Sequence, residues 1–274
     1  MNGLLNKVNY LNTNISPFFI SSFIREYDMR QSNISVLRYK GIITNEEFEY
    51  YSNLPKLERQ IKIGLLQKEK PEIAKVITNT MTELRNTFIT QNNLNITNVI
   101  SIKNDAFFIM PPFPVNTIVA DNIEFRVKNI YTSYYLFNKD IPGPKVECYY
   151  YLNRIVEEEV LDVKGISDES LSLHENHFID LLKTVFYSAE TESREETINL
   201  LTTIYESYIT RKMDIEYYRE FNADSKYRLC VGGMYFTADV MNGKDIEYVD
   251  ITVNLNILRQ LLSFYSYNYK PQIK

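Results

Sequence analysis

Two stretches with the residue pattern of β-strands flank a long stretch with helical pattern, and each carries an aspartate where the strand ends or turns. Asp28 follows FFISSFIREY, and Asp105 interrupts VISIKNDAFFIM. Because strands distant in sequence can become neighbours in one sheet, this layout predicts that the two carboxylates meet. Two carboxylates on one sheet are what a two-metal phosphoryl-transfer site needs.

The stretch between the two aspartates predicts several helices. SNISVLRYKG indicates a short helix that ends at Gly41, where glycine suits the C-terminal cap. Thr44 is predicted to cap the next helix. A third helix is predicted over 53–67, and Pro71 begins a longer one with an apolar stripe.

Asn104 and Asp105 are predicted to form the tip of a tight hairpin, since both residue types tolerate left-handed turn geometry. A single straight strand is the competing interpretation. Strand-like segments follow at 122–137 and 146–163.

The last third of the chain predicts two helices and then a β-meander. Ser167 is a candidate cap for a helix through about Ala189, and Ser193 begins a capping-box pattern for a second helix. Gly232-Gly233 and Asn242-Gly243 indicate hairpin turns. A helix rich in Leu and Tyr is predicted to end the chain.

These elements predict an α+β protein, with a palm-like antiparallel sheet backed by helices, followed by a helical pair and a C-terminal β-meander. A composition shift predicts a boundary near residue 165, between regions 1–165 and 166–274, which we expect to pack together.

Composition narrows the class of protein. The net charge of −5 argues against a surface coated in positive charge for wrapping duplex, although a local basic groove is compatible with it. Cys148 and Cys230 are far apart, which is typical of reduced thiols in a cytoplasmic protein. No apolar run reaches the roughly 18 residues of a membrane span. Rossmann and P-loop glycine patterns are absent from the sequence.

The order of four short motifs resembles family B DNA polymerases of the phage type. REYDMRQSNISVL is similar to the first catalytic motif, and ISIKNDAFF is similar to the metal-binding hairpin of the palm. VKNIY and LDVKGIS resemble two downstream elements of the family. The sequence departs from the family in three ways: one hairpin acid is missing, Asn33 stands where a tyrosine is expected, and the family's Lys and Asn-Ser-x-Tyr-Gly helix has only KLERQIKIGLL as a counterpart.

The resemblance implies nucleotidyl transfer with nucleic acid and a nucleoside triphosphate, and a Mg²⁺ site formed by Asp28 and Asp105. Glu26 or Glu124 is a candidate third acid. Basic and aromatic side chains are predicted to contact the triphosphate, the nucleic-acid backbone or its bases: Lys56, Arg59 and Lys62 at i+3 spacing, Lys128, Lys164, Tyr131 and Tyr134.

Each of these residues also has a purely structural interpretation. The aspartates are common turn formers, the row from Lys56 to Lys62 is typical of a solvated helix face, and Tyr131 is compatible with cross-strand packing. His174 and His177 lack the i,i+4 spacing of a metalloprotease helix and are predicted to be surface or packing residues.

Two functional hypotheses follow. The chain is a Mg²⁺-dependent relative of a polymerase palm, or it is a non-catalytic phage protein that retains a decayed palm fold. In the second case it binds nucleic acid, has a regulatory role, or belongs to a virion or larger phage assembly. In both cases we expect it in the host cytoplasm, away from membranes.

Overall fold

The computed structural model describes residues 9–138, 145–156, 158–165, 177–214, 217, 229–231, 234–236 and 252–268. The protein is α+β, as predicted, and the chain divides into two compact units. The first unit comprises Met1–Ile15 and Phe23–Ile130, and the second comprises Ser16–Ser22 and Tyr131–Lys274.

The strands are β1 (Asn9–Leu11), β2 (Phe18–Phe19), β3 (Ile24–Met29), β4 (Val99–Lys103), β5 (Ala106–Ile109), β6 (Ile118–Ala120), β7 (Ile123–Tyr131), β8 (Ser133–Asn138), β9 (Lys145–Asn153), β10 (Glu158–Lys164), β11 (Leu229–Val231) and β12 (Met234–Phe236). The helices are α1 (Ser32–Tyr39), α2 (Asn45–Ser52), α3 (Lys56–Glu69), α4 (Glu72–Gln91), α5 (His177–Thr191), α6 (Arg194–Ile209) and α7 (Thr252–Ser263). Short single turns lie at Ile96–Asn98 and Phe264–Asn268.

The first unit contains a six-stranded sheet in the order β1-β4-β5-β3-β7-β6. Side chains alternate between its faces, and one face buries Tyr27, Phe107 and Phe125 in a core shared with the helices α1 to α4. Phe88 of α4 is at the centre of this core, with its ring 5.7 Å from Tyr27, 5.1 Å from Phe107 and 4.8 Å from Phe125. The helices therefore cover one face, and Glu26 and Asp28 lie on the other.

The hairpin predicted at Asn104-Asp105 is confirmed. β4 and β5 pair antiparallel across this turn, and Asn104 has a φ of 51° in the left-handed region. The competing interpretation, a single straight strand, is wrong. The short polar side chain of asparagine makes this backbone conformation accessible.

Local signals at the helix ends are also confirmed. Thr44 caps α2 in a full capping box with Glu47, and Gly41 has a φ of +66° just after α1. Ser193 and Glu196 form the same box at the start of α6. Pro55 and Pro71 each directly precede a helix, α3 and α4.

The second unit contains a four-stranded sheet in the order β10-β9-β8-β2. One face packs in a core with α5, α6 and α7, where the ring of Tyr135 stacks on Phe186 at 4.0 Å. The division between units therefore falls at Ile130–Tyr131, not near residue 165. The physical reason is strand pairing, since β8, β9 and β10 form one continuous sheet and β8 also pairs with β2.

Several predictions fall partly or wholly outside the described residues. The proposed Ser167 cap and His174 lie outside them, as do the turns at Gly232-Gly233 and Asn242-Gly243. β11 and β12 pair antiparallel on either side of the first of these turns. Within the described part of the chain, no helix has the length and apolar character required to cross a membrane.

Candidate functional site

A cleft of about 800 Å³ lies within the first unit, and its lining comes from the end of β3, the β4–β5 hairpin, β7 and the helices α1, α3 and α4. Two carboxylates and six cationic side chains line it. These charged residues are Asp28, Asp105, Arg30, Lys56, Arg59, Arg85, Arg126 and Lys128. The lining is therefore strongly positive, although the whole chain carries a net charge of −5.

Strand pairing explains why two distant aspartates line one cleft. β3 and β5 run antiparallel, with Asp28 opposite Ala106, the residue that follows Asp105. Burial raises the pKa of Asp28, whereas Lys128 and Arg126 act to lower it, and the charge of Asp105 adds to the increase. The structure therefore brings Asp28 and Asp105 to the lining of the same cleft.

Cations from β7 surround the carboxylate of Asp28. Arg126 Nε lies 3.5 Å from its Oδ1, and Lys128 Nζ lies 3.9 Å from its Oδ2. Lys128 Nζ is also 3.0 Å from Oε1 of the buried Glu26, whose Oε2 accepts a 2.6 Å hydrogen bond from Asn129. Glu26 thus positions Lys128 beside the cleft.

Arg85 reaches the hairpin from α4, and it is only 3% exposed. Its Nη1 donates a 2.9 Å hydrogen bond to the main-chain oxygen of Asn104. Burial lowers the pKa of Arg85, whereas the negative charge of Asp105 acts to raise it. Each carboxylate of the cleft therefore has a cation close to it.

Arg85 and Arg126 were not predicted as site residues, although both carry a signal in the sequence. Arg85 is a charged residue within the apolar stripe of α4, four residues after Met81, and a buried cation in such a stripe needs a partner. Arg126 lies two residues from Glu124 and two from Lys128 in β7, so the two-residue period of a strand puts all three on one face.

The three cations predicted to form a row on α3 do not all line the cleft. Lys56 and Arg59 line the cleft. Lys62 does not line it: its Nζ lies 5.3 Å from the centre of the Tyr50 ring, and a hydrogen bond with Tyr50 raises the pKa of Lys62.

Three predicted ligand-binding residues lie in the second unit instead. Tyr131 is 1% exposed and donates a 2.9 Å hydrogen bond to Asp162, while Lys164 Nζ lies 2.8 Å from Asp162. Tyr134 is fully buried, with its ring 5.1 Å from that of Tyr149. Because Tyr131 and Tyr134 are buried, their rings are not available to a nucleobase. Their surroundings agree with the structural interpretation, in which both side chains pack between strands.

Neither candidate for a third acid lines the cleft. Glu26 is engaged by Lys128 and Asn129, and Glu124 accepts a 2.8 Å hydrogen bond from Thr117. Among the described residues, no group of three or more His, Cys, Asp or Glu side chains could hold a metal ion. His177 packs its ring edge-on against Tyr217, at 5.3 Å.

Comparison with known protein families identifies a family to which the chain belongs. The family model described as Bacteriophage PBS1 gene 130 protein matches residues 1–265. The chain belongs to this family. The matched region of this PBS1 gene 130 family member includes every residue that lines the cleft. No curated protein matches the chain.

Proposed function

We propose that this phage protein binds nucleic acid and holds backbone phosphates in the cleft of the first unit. The observation that carries the proposal is the excess of cations in the lining, six against two carboxylates. A concentration of fixed positive charge in a concave surface attracts phosphate groups without reading base identity.

The uncharged part of the lining supports contact with the backbone over contact with bases. Among the residues that the structure describes, no aromatic side chain lines the cleft. Sequence-tolerant binding of bases in single strands relies on aromatic stacking. A ligand in this cleft is therefore held through its phosphates and sugars.

Binding of a fluorescein-labelled single-stranded oligonucleotide across a salt series tests this function. Affinity should fall steeply with salt, since each phosphate contact contributes a slope of about −0.7 in log K against log salt for single strands. Arg59→Gln and Lys56→Gln should each reduce this slope by about 0.7. Lys68→Gln, an exposed position on the same helix outside the cleft lining, is the matched control. The absence of binding at low salt would refute the proposal.

A second candidate function is Mg²⁺-dependent nucleotidyl transfer, as in the palm of family B polymerases. The observation in its favour is the order of elements, because Asp28 ends β3, helices follow, and Asp105 lies in the next hairpin turn beside it. A primer-extension assay with nucleoside triphosphates and Mg²⁺ or Mn²⁺ tests it. Extension that is lost in Asp105→Ala would support this enzyme, and equal signals from both proteins would reject the site.

We also propose that the protein associates with a larger phage assembly in the host cytoplasm. We infer that a backbone-binding protein of this kind places nucleic acid for another component of that assembly. Co-purification of a tagged chain from infected cells, with and without nuclease treatment, tests whether any partner is held by protein contacts or through nucleic acid.

A further inference from the structure

The carboxylates that would hold a metal ion in a polymerase palm are already next to fixed cations in this chain. Asp28 Oδ1 is buried and accepts no hydrogen bond from the described residues, and its cationic neighbour is Arg126 Nε at 3.5 Å. Oδ2 lies 3.9 Å from Lys128 Nζ. Two side-chain charges therefore act on the one carboxylate.

The other carboxylate has a comparable neighbour. The buried guanidinium of Arg85 holds the carbonyl of Asn104 and interacts electrostatically with Asp105, the next residue. Arg85 is anchored in α4 and packed among core residues, so its charge stays close to the hairpin turn. Each acid of the cleft therefore has a fixed cation of the protein nearby.

This arrangement does not fit a bound Mg²⁺ ion. Mg²⁺ requires octahedral oxygen ligands at about 2.0–2.1 Å, and an ion bound at Asp28 would lie within a few ångströms of Arg126 and Lys128 as well. Charges of like sign at such separations repel strongly where solvent is partly excluded. The described residues also offer no third acid to offset that repulsion.

We propose that the cleft binds phosphate groups without a divalent metal, and that Arg126, Lys128 and Arg85 supply the positive charge that metal ions supply in a polymerase palm. This inference rests on the proposed nucleic-acid binding and specifies its chemistry. Charge-assisted hydrogen bonds from guanidinium and ammonium groups are strong ligands for phosphate oxygens. Asp28 and Asp105 then act as counter-ions that orient the cations.

The test measures oligonucleotide affinity by fluorescence anisotropy in EDTA and in Mg²⁺, with ionic strength matched between the two buffers. We expect the oligonucleotide to bind in EDTA at least as tightly as in Mg²⁺, because divalent cations compete with the protein for the phosphates. Binding that is weaker in EDTA by more than about ten-fold would overturn the metal-free inference and leave the proposed function intact. Absence of binding in both buffers would overturn the function and the inference together.

Charge variants provide a second, independent readout in EDTA. Asp28→Asn removes an anion that competes with phosphate for Arg126 and Lys128, so we expect affinity to rise by about two- to five-fold. Arg126→Gln should lower it by a similar factor. If Asp28 bound a metal ion, the opposite result would follow. Asp28→Asn would then lower the affinity for the oligonucleotide, and only when Mg²⁺ is present.

Two controls keep this test decisive. Asp121→Asn changes the same charge at an exposed position outside the cleft lining, and it should alter affinity less than Asp28→Asn does. If Asp28→Asn unfolds, as seen by circular dichroism, Asp105→Asn tests the other carboxylate with the same expected sign. Weaker binding in that variant in EDTA would also overturn the inference.

Discussion

Arg85 and Asn104 are joined by a 2.9 Å hydrogen bond from a buried guanidinium to a main-chain oxygen in the hairpin turn. They are far apart in sequence, on α4 and between β4 and β5. The contact fixes the turn that carries Asp105 against the helix layer, and it brings a cation to the cleft. The side chain of Arg85 thus contributes both to the position of the hairpin turn and to the positive charge beside it.

Replacement of Arg85 by Met is expected to lower the free energy of unfolding by about 2 kcal/mol, a typical value for a hydrogen bond to a charged group. The carbonyl of Asn104 would lose its donor, and Asp105 would lose a neighbouring cation. Urea denaturation followed by circular dichroism measures the change. Lys75→Met, at an exposed position on the same helix, should have little effect. Equal stability of the two variants would contradict the role of Arg85.

The titration of Asp28 predicts a pH dependence of stability. Burial raises its pKa above that of an exposed aspartate, about 3.9. The folded protein therefore binds this proton more tightly than the unfolded chain, and the contribution of Asp28 to stability falls as pH rises from about 4 through the folded-state pKa. In Asp28→Asn this loss is absent.

We therefore expect the difference in unfolding free energy, variant minus wild type, to become more positive between about pH 4 and neutral pH. Urea denaturation of both proteins over this pH range measures it. The comparison with the variant is needed because other carboxyl groups titrate in the same window. A difference that stays constant or falls with pH would show that the pKa of Asp28 is not raised.

The aromatic core of the first unit predicts a large effect at one position. Phe88→Ala is expected to lower the free energy of unfolding by about 3–5 kcal/mol, because the ring contacts Tyr27, Phe107 and Phe125 and would leave a cavity. Phe23 is 66% exposed in the same unit, so Phe23→Ala should change stability far less. Chemical denaturation of both variants checks this, and a cost below about 1 kcal/mol for Phe88→Ala would contradict the packing.

The capping box of α6 predicts a modest effect. Ser193 accepts a 3.2 Å hydrogen bond from the main-chain N–H of Glu196, and Ser193→Ala is expected to cost about 1 kcal/mol. Thr203→Ala, on an exposed face within the same helix, should be neutral or slightly stabilising, since alanine favours helix interiors. Thermal denaturation of the two variants separates a cap effect from a general loss of polar contacts.

Local signals predicted much of the framework, but they did not identify which helix face is buried. On α3 the spacing of Leu57, Ile61 and Leu65 marks an apolar stripe, yet these side chains are 69%, 55% and 54% exposed. Ile63, between two of them in sequence, is buried instead. A helical period shows which residues share a face, whereas the neighbours of the helix decide which face is covered.

The domain boundary shows a related limit. Composition changes near residue 165, but β8, β9 and β10 form one sheet in which β8 pairs with β2 from the front of the chain, and all four strands belong to the second unit. Hydrogen bonding between strands distant in sequence leaves no local trace. Tyr131 and Lys164 lie beside Asp162 in the second unit, and neither residue lines the cleft.

The sequence alone determined where helices begin, where the hairpin turns and that Asp28 and Asp105 lie at strand ends, because caps and turns depend on residues a few positions apart. Only the tertiary structure decided what surrounds those acids. Arg85, Arg126 and Lys128 reach them from a helix and a strand far along the chain, and electrostatic energy depends on distance in space. That placement turns a pair of carboxylates into a predominantly positive cleft.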